Sequence, residues 1–191
     1  MQGNDTEKID DIVEQIYEDF DIKFPLGDTR ELPEKLGGEF VVSSRYKVGD
    51  EAAVIKYRTG FAIVICNLSS QYTIDPVTKA NTDYLICRTI GQLMLHMGYH
   101  LEPKKWERIS NGVHPYKEVR YAKQKKQLDY FANALMLPKT IYENASIHHT
   151  QVGYSHGINV REMALDLHTT PLMIMERGKQ LGYYLLDKSI Y

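Results

Sequence analysis

The sequence predicts an α+β protein, because helical and strand-like patterns occupy separate parts of the chain. Apolar residues follow helical spacing near the N-terminus, form short β-branched runs between positions 39 and 68, and return to helical spacing from about position 79. Strands grouped in one stretch, with helices before and after, are typical of this class. The 191 residues indicate one domain of ordinary size, or one with a small appendage.

The N-terminal segment predicts an amphipathic helix. Asp5 or Thr6 is placed to cap it, and a later segment, ELPEKLGG, predicts a short helix stopped by Gly37 and Gly38. The apolar stripe of the first helix consists of Ile9, Ile12, Val13, Ile16 and Phe20.

Three β-branched segments then predict a small antiparallel sheet from Glu39 to Leu68. These segments are EFVVSS, EAAVIKYR and GFAIVICNL, with RTG as a tight connection between the last two. The two cysteines of the chain, Cys66 and Cys87, both lie in apolar runs. We therefore expect buried free thiols and a reducing compartment rather than a disulfide.

The rest of the chain predicts helices. A long helix is expected from about Lys79 to Gly98, an irregular stretch over 102–123, a helix over KKQLDYFANALMLP that ends at Pro138, and a short helix from Thr140. The segment NVREMALDLHTTPLMIMERGKQLGYY predicts two helices joined by the turn HTT. Asn159 is placed to cap the first helix, and Gly182 is placed to end the second.

Composition excludes several functional classes. The net charge of −2 and the pI of about 6.4 do not indicate a dominant surface for polyanions or membranes. The longest apolar run, near FAIVICNL, is far shorter than the ~20 residues of a membrane helix. The acidic, polar N-terminus is unlike a signal peptide. We therefore expect a soluble, cytoplasmic protein.

The stretch GQLMLHMGYH, from Gly91 to His100, carries the most informative pattern. On a helix, Gln92, His96 and His100 fall on one face beside the apolar stripe of Ile86, Ile90, Leu93 and Met97. In an HExxH helix, the same geometry presents two histidines to Zn²⁺ and places a glutamate as general base for the bound water.

Two motifs at the same separation resemble the ImmA/IrrE family of metallopeptidase-like proteins. RTIGQLMLHMGYH is similar to the family pattern F-T-x-A-H-E-L-G-H-x-x-x-H, and QLDYFANALMLP is similar to E-A-x-x-F-A-x-x-L-L-M-P. The order of sheet and helices also fits, as does the C-terminal segment VREMALDLHTTPLMIMERGKQLG. The resemblance implies a zincin-like core followed by a helix-turn-helix-like C-terminal segment.

The resemblance also implies that the chemistry of the family is lost. The first zinc histidine is matched by Gln92, the general-base glutamate by Leu93, and the third ligand by Gln127, whereas His96 is retained. Glutamine is a poor zinc ligand, and leucine cannot accept a proton. We expect Gln92 and Gln127 to hydrogen-bond each other or His96, with no catalytic residue, no resident metal and no other cofactor.

Two alternatives remain open from the sequence. His96 and His100 could hold zinc together with a carboxylate such as Glu102 or Glu107, which would make the protein a divergent metallopeptidase. A nucleic-acid-binding regulator could use the C-terminal helices and the basic run from Tyr116 to Lys126, although the second helix has only Arg177 and Lys179 as basic residues.

The expected protein is a catalytically inactive, peptidase-like regulator. It is expected to act by binding a protein partner, and the resemblance implies a helix-turn-helix repressor of a mobile element or stress response. The expected partner surface is the cleft between the Gly91–His100 helix and the Gln127–Leu137 helix. The predicted division is a zincin-like domain over residues 1–140 and a helical extension over residues 141–191 packed on it.

Overall fold

The structure is a computed structural model that describes residues 3–44, 51–66, 75–115, 122–151 and 157–186. It has the predicted α+β class, with a small sheet surrounded by helices. The helices are α1 (Gly3–Asp19), α2 (Leu32–Lys35), α3 (Pro76–Gly91), α4 (Pro103–Arg108), α5 (Ala122–Met136), α6 (Lys139–His149), α7 (Val160–Asp166) and α8 (Pro171–Leu181). The strands are β1 (Glu39–Ser43), β2 (Ala52–Lys56), β3 (Phe61–Cys66), β4 (Gly112–Pro115), β5 (Thr150–Gln151), β6 (Gly157–Asn159) and β7 (Leu185–Leu186).

The main sheet is mixed rather than antiparallel, which corrects one detail of the prediction. Its strand order is β1-β3-β2-β4, and β1 pairs with β3 in parallel, whereas β2 is antiparallel to both β3 and β4. The tight turn closed by the Tyr57 N–H and the Gly60 carbonyl, 2.8 Å apart, fixes β2 and β3 as a hairpin. Strand β1 pairs with β3 and not with β2, the next strand in the sequence.

Helices α1, α3 and α5 pack together with the sheet around one hydrophobic core. The predicted stripe of α1 is confirmed, since Ile9, Val13 and Ile16 are buried in that core and Ile12 and Phe20 pack against it. Strand β3 is buried along its whole length, as expected for a strand inside the sheet. Cys66 and Cys87 are buried free thiols, as predicted.

Helix α3 begins earlier than predicted and ends earlier as an α-helix. The Asp75 side chain accepts hydrogen bonds from the N–H groups of Val77 and Thr78, and Pro76 occupies the first turn. This Asp-Pro pair is a helix-start signal that precedes the predicted start near Lys79. After Gly91 the chain changes to a π-helical turn over Gln92–His96.

The stretch over 102–123 is not irregular throughout, because it contains α4 and β4. Pro103 starts α4 at the position where a missing N–H costs least. Strand β4 has only four residues and forms by pairing with β2, with Val54 opposite His114. A strand this short depends on its neighbour in the sheet rather than on its own sequence.

The C-terminal helices follow the prediction closely. The Asn159 side chain accepts from the Glu162 N–H and caps α7, Thr170 caps α8, and Gly182 ends α8 with a φ of 79°. A small sheet of β5, β6 and β7 was not predicted, because strands of two or three residues leave no periodic pattern.

A second hydrophobic cluster joins α6, α7 and α8. It contains Tyr142, Met163 and Ile174, together with Leu137 at the end of α5. The division of the chain near residue 140 stays a prediction. In the described residues, no helix has both the length and the apolar character needed to cross a bilayer.

Candidate functional site

The π-helical turn over Gln92–His96 separates the candidate site from the rest of α3. The Met97 N–H donates to the Gln92 carbonyl at 3.0 Å, and the Tyr99 N–H donates to the Leu93 carbonyl at 3.1 Å. Such turns inside helices are rare and frequently mark functional sites. The residues directly after the turn therefore do not continue the helical faces of α3.

His100 does not continue the helical face of His96. It has a φ of 62°, and Gly98 before it has a φ of 78°, so the chain has left the helix. The His100 Nε2 lies 2.8 Å from Asp19 Oδ2 at the end of α1, and its ring packs against Phe20 with centroids 4.8 Å apart. The helical pairing assumed for His96 and His100 is therefore wrong.

Gln92 is tied to the sheet rather than to Gln127 or His96. Its side chain is 6% exposed, and its Nε2 donates to the His114 carbonyl in β4 at 3.3 Å. Its Oε1 is buried and finds no hydrogen-bond partner in the described part of the chain. The prediction that Gln92 would hydrogen-bond Gln127 or His96 is corrected, because its amide nitrogen donates to the His114 carbonyl in β4 instead.

Leu93, which the ImmA/IrrE resemblance matches to the general base, is part of the core. It is fully buried among Ile90, Met94 and the other apolar residues of the central cluster. A carboxylate at this position would be removed from water among apolar side chains, which is costly without a partner. The packing of the π-helical turn against the core therefore favours an apolar residue here.

His96 is half-buried, and its environment disfavours the protonated form of the ring. Burial lowers the pKa of the imidazole below its ordinary value, and the nearby charge of Lys105 lowers it further. Lys105 itself donates to the Leu95 carbonyl at 2.9 Å. The buried Nε2 of His96 has no hydrogen-bond partner among the described residues.

Gln127 lies on α5 and is partly buried. Within the described ranges, no group of three or more His, Cys, Asp or Glu side chains converges in a way that could hold a metal ion. The positions that match the family's ligands supply two carboxamides and one imidazole. This donor set does not fit Zn²⁺, which prefers thiolate, imidazole and carboxylate ligands.

The expected cleft between the two motif helices is closed where Gly91 faces α5. A Cβ added to Gly91 would lie 2.9 Å from the Phe131 ring and 3.2 Å from Leu128, so α3 and α5 approach each other directly. Ala134, which lies on the same helix, is fully buried in the core. A partner therefore cannot enter between the helices at this level.

A buried polar network ties α8 to α1 and α5. Arg177 is fully buried and donates from Nη2 to Asp10 and from Nε to the Leu137 carbonyl, the latter at 3.0 Å. The Tyr130 hydroxyl donates to the other Asp10 oxygen at 2.7 Å. Of the two basic residues predicted on this helix, only Lys179 remains at the surface, where it pairs with Glu176 at 3.1 Å.

Sequence reasoning missed a cavity at the other end of α3. It has a volume of about 570 Å³ and lies between residues 24–29, the first turns of α3, the end of α5 and the α7–α8 turn. Its walls come from four separate segments, so no local pattern could have indicated it.

Comparisons with known proteins show the fold and little else. The sequence matches no protein-family model and no curated protein. Among solved structures, the chain is similar to a Mycobacterium tuberculosis transcriptional regulator, with a TM-score of 0.51 and 14% identity over 96% of this chain and 48% of that one. The chain thus spans about half the length of that regulator. At this identity the likeness extends to the fold alone, and the ImmA/IrrE resemblance stays a prediction.

Proposed function

We propose that this chain is a regulatory protein with a peptidase-like frame that acts by binding a protein partner and not by cleaving it. The observation that carries the proposal is the fully buried Leu93 at the position of the general base, beside a Gln92 amide bonded to the sheet. Peptide hydrolysis of this type needs a polarised water with a base next to it. Neither requirement is met by these side chains.

The edge of the main sheet is the surface best suited to a partner. Strand β4 lies at one end of the strand order and borders the site, since its His114 carbonyl accepts from Gln92. Val113 in this strand is 43% exposed. An extended segment of a partner can add to such an edge through main-chain hydrogen bonds, with side-chain contacts giving specificity.

The proposed partner is a transcriptional repressor of the helix-turn-helix type. This choice rests on the resemblance to the ImmA/IrrE family and on the fold shared with a protein described as a transcriptional regulator. Binding without cleavage would regulate such a partner by occupying its surface.

The test compares the two edges of the sheet. Val113→Asp in β4 and Val42→Asp in β1 each place a carboxylate on an exposed valine of an edge strand. In pull-downs from the native host, wild type and Val42→Asp should retain the same specific protein, and Val113→Asp should lose it. The purified partner should stay full length by mass spectrometry after incubation with the wild type and zinc.

Circular dichroism spectra and thermal midpoints must match for the three proteins. Capture of the same protein by the folded Val113→Asp variant would show that the β4 edge does not bind the partner. Cleavage of the partner by the wild type, abolished by a chelator, would instead favour a metallopeptidase.

The two rival functions receive less support. A divergent zinc site built on His96 and His100 loses its helical spacing, because His100 is turned toward Asp19. Nucleic-acid binding by the C-terminal helices is less supported because Arg177 is buried in a pair with Asp10 and is not available to contact phosphate. Lys123 from the basic run pairs with Asp5 at 2.9 Å, and residues 116–121 of that run lie outside the described residues.

A further inference from the structure

We propose that the cavity between the first turns of α3 and the α7–α8 turn binds a small uncharged molecule that carries a carboxamide-like group on an apolar body. The proposal does not depend on the protein-binding role. The cavity volume of about 570 Å³ lies within the range of roughly 300–1,000 Å³ that is usual for small-molecule sites.

The walls of the cavity are mainly apolar. Its apolar side chains come from three of the four segments that form the walls, and they join the central core to the C-terminal helices. The apolar lining includes Phe24, Leu26, Met136, Leu167, Leu172 and Met173. Methionines adapt their shape to a ligand at little cost, and they occur here on both α5 and α8.

Asn133 is a buried polar residue in the wall of the cavity. It lines the space, its side chain is only 6% exposed, and its carboxamide has no hydrogen bond to any described residue. An amide carries two donors and an acceptor, and those that the protein does not use are available to a ligand in the cavity. A ligand carboxamide is the complement, because it can donate to the Asn133 oxygen and accept from its nitrogen.

The charged groups on the walls favour an uncharged ligand. The buried Asp83 carboxylate accepts from Thr29 at 2.6 Å and from Lys79, so the lysine charge is already engaged. Glu176, which also lines the cavity, pairs with Lys179 at 3.1 Å. An anionic ligand would face two carboxylates, and a cationic ligand would have to compete with the lysines that hold them.

Occupation of the cavity would join two parts of the molecule. Asn133 and Asp83 belong to helices of the central core, whereas Leu172 and Glu176 belong to α8. A ligand that contacts both would stabilise their packing by the free energy of its binding. Binding of a small molecule in the cavity would therefore stabilise the packing of the C-terminal helices on the central core.

A matched pair of probes tests the ligand class. 2-Naphthamide and 2-naphthoate share one ring system and differ in whether they carry an uncharged amide or a carboxylate. We expect the wild type to bind 2-naphthamide saturably, with a Kd about tenfold lower than that for 2-naphthoate, as one additional hydrogen-bonded pair would give. Isothermal titration gives the affinities, and NMR chemical shifts locate the site.

Two variants on α3 distinguish probe binding in this cavity from probe binding elsewhere on the surface. Ala80 lines the cavity, and Ala80→Trp should fill it and abolish binding. Val77 is 66% exposed on the same helix and is not among the lining residues, so Val77→Trp should leave the affinity unchanged. Asn133→Leu should weaken binding of both probes and remove most of the preference for 2-naphthamide over 2-naphthoate.

Three results would overturn the proposal. One is the absence of saturable 2-naphthamide binding by the wild type at millimolar concentration. Equal affinity for the amide and the carboxylate would contradict the ligand class. Unchanged binding in Ala80→Trp would show that the probes bind elsewhere, and this comparison stands even if Asn133→Leu does not fold.

Discussion

Two buried polar regions of this molecule differ in how their groups are partnered. In the network of Asp10, Tyr130 and Arg177, both oxygens of the carboxylate accept hydrogen bonds, and the guanidinium lies over the Tyr130 ring with 5.1 Å to its centroid. In that network only the Arg177 Nη1 is buried without a partner among the described residues, whereas at the candidate site the Gln92 Oε1 and the His96 Nε2 both are. Buried polar groups that hold a structure together are normally satisfied.

The difference indicates two roles for buried polar residues in one fold. Asp10, Tyr130 and Arg177 come from α1, α5 and α8, so their contacts hold together helices that are far apart in sequence. Gln92 and His96 are four residues apart on one segment, and only Gln92 is bonded to another element, β4. We infer that the first region maintains the fold. For the second region, the replacement of metal ligands implied by the ImmA/IrrE resemblance stays a prediction.

Breaking the network should have the largest effect on stability. Arg177→Met removes the partner of a buried carboxylate and should lower the free energy of unfolding by about 3–5 kcal/mol. Urea denaturation followed by circular dichroism measures the change. The double variant Asp10→Leu/Arg177→Met should recover part of the loss, because no charge then stays buried alone. A loss below about 1 kcal/mol in the single variant would contradict a structural role for this pair.

Removing one hydroxyl from the network should have a smaller effect. Tyr130→Phe deletes the hydrogen bond to Asp10 and should cost about 1.5–3 kcal/mol, as for bonds to charged groups. Burial and the Asp10 carboxylate raise the pKa of Tyr130 to about 12, so the hydroxyl is a donor throughout the pH range of such measurements. Unfolding midpoints that coincide with those of the wild type would show that the bond contributes nothing.

At the candidate site, an apolar substitution should change stability little. Gln92→Leu removes the bond to the His114 carbonyl, but it also removes a buried oxygen that has no partner among the described residues. These effects oppose each other, so the free energy of unfolding should stay within about 1 kcal/mol of the wild type. A loss as large as that of Arg177→Met would mean that the two regions do not differ in role.

The smallest expected effect is a change of pH dependence caused by His96. Because burial and Lys105 lower the pKa of the folded imidazole below its ordinary value of 6.5, the unfolded chain binds a proton that the folded protein resists. The free energy of unfolding should therefore fall as pH decreases through about 6.5, until the folded pKa is reached. His96→Gln should show a shallower decrease than the wild type between pH 7.5 and 5. Identical slopes would show that His96 is not desolvated.

Local chemistry explains which parts of the fold the sequence could predict. The Asn159 cap, the Gly182 stop and the apolar stripe of α1 depend on neighbouring residues, and all three are confirmed. Strand β4 and the pair of Asp10 with Arg177 depend on residues far away in the chain, and no local pattern encodes them.

The candidate site divides in the same way. The fully buried position of Leu93 follows from the helical stripe, so the sequence could indicate it. The π-helical turn, which directs His100 toward α1, could not be read from residue spacing because the prediction assumed a continuous α-helix. The role of Asn133 could not be predicted for another reason. Its neighbours in the sequence are core residues, and only the folded structure shows that Asn133 lines a cavity.

Zinc content tests the central claim, the loss of metal chemistry, most directly. The wild type, expressed with zinc in the medium and then dialysed, should contain far less than one zinc per chain by elemental analysis, because Gln92 and Gln127 supply neither charge nor a strong donor. The control Gln92→His/Gln127→Glu restores the matched ligands around His96 and should take up about one zinc per chain. About one tightly held zinc in the wild type would contradict the account.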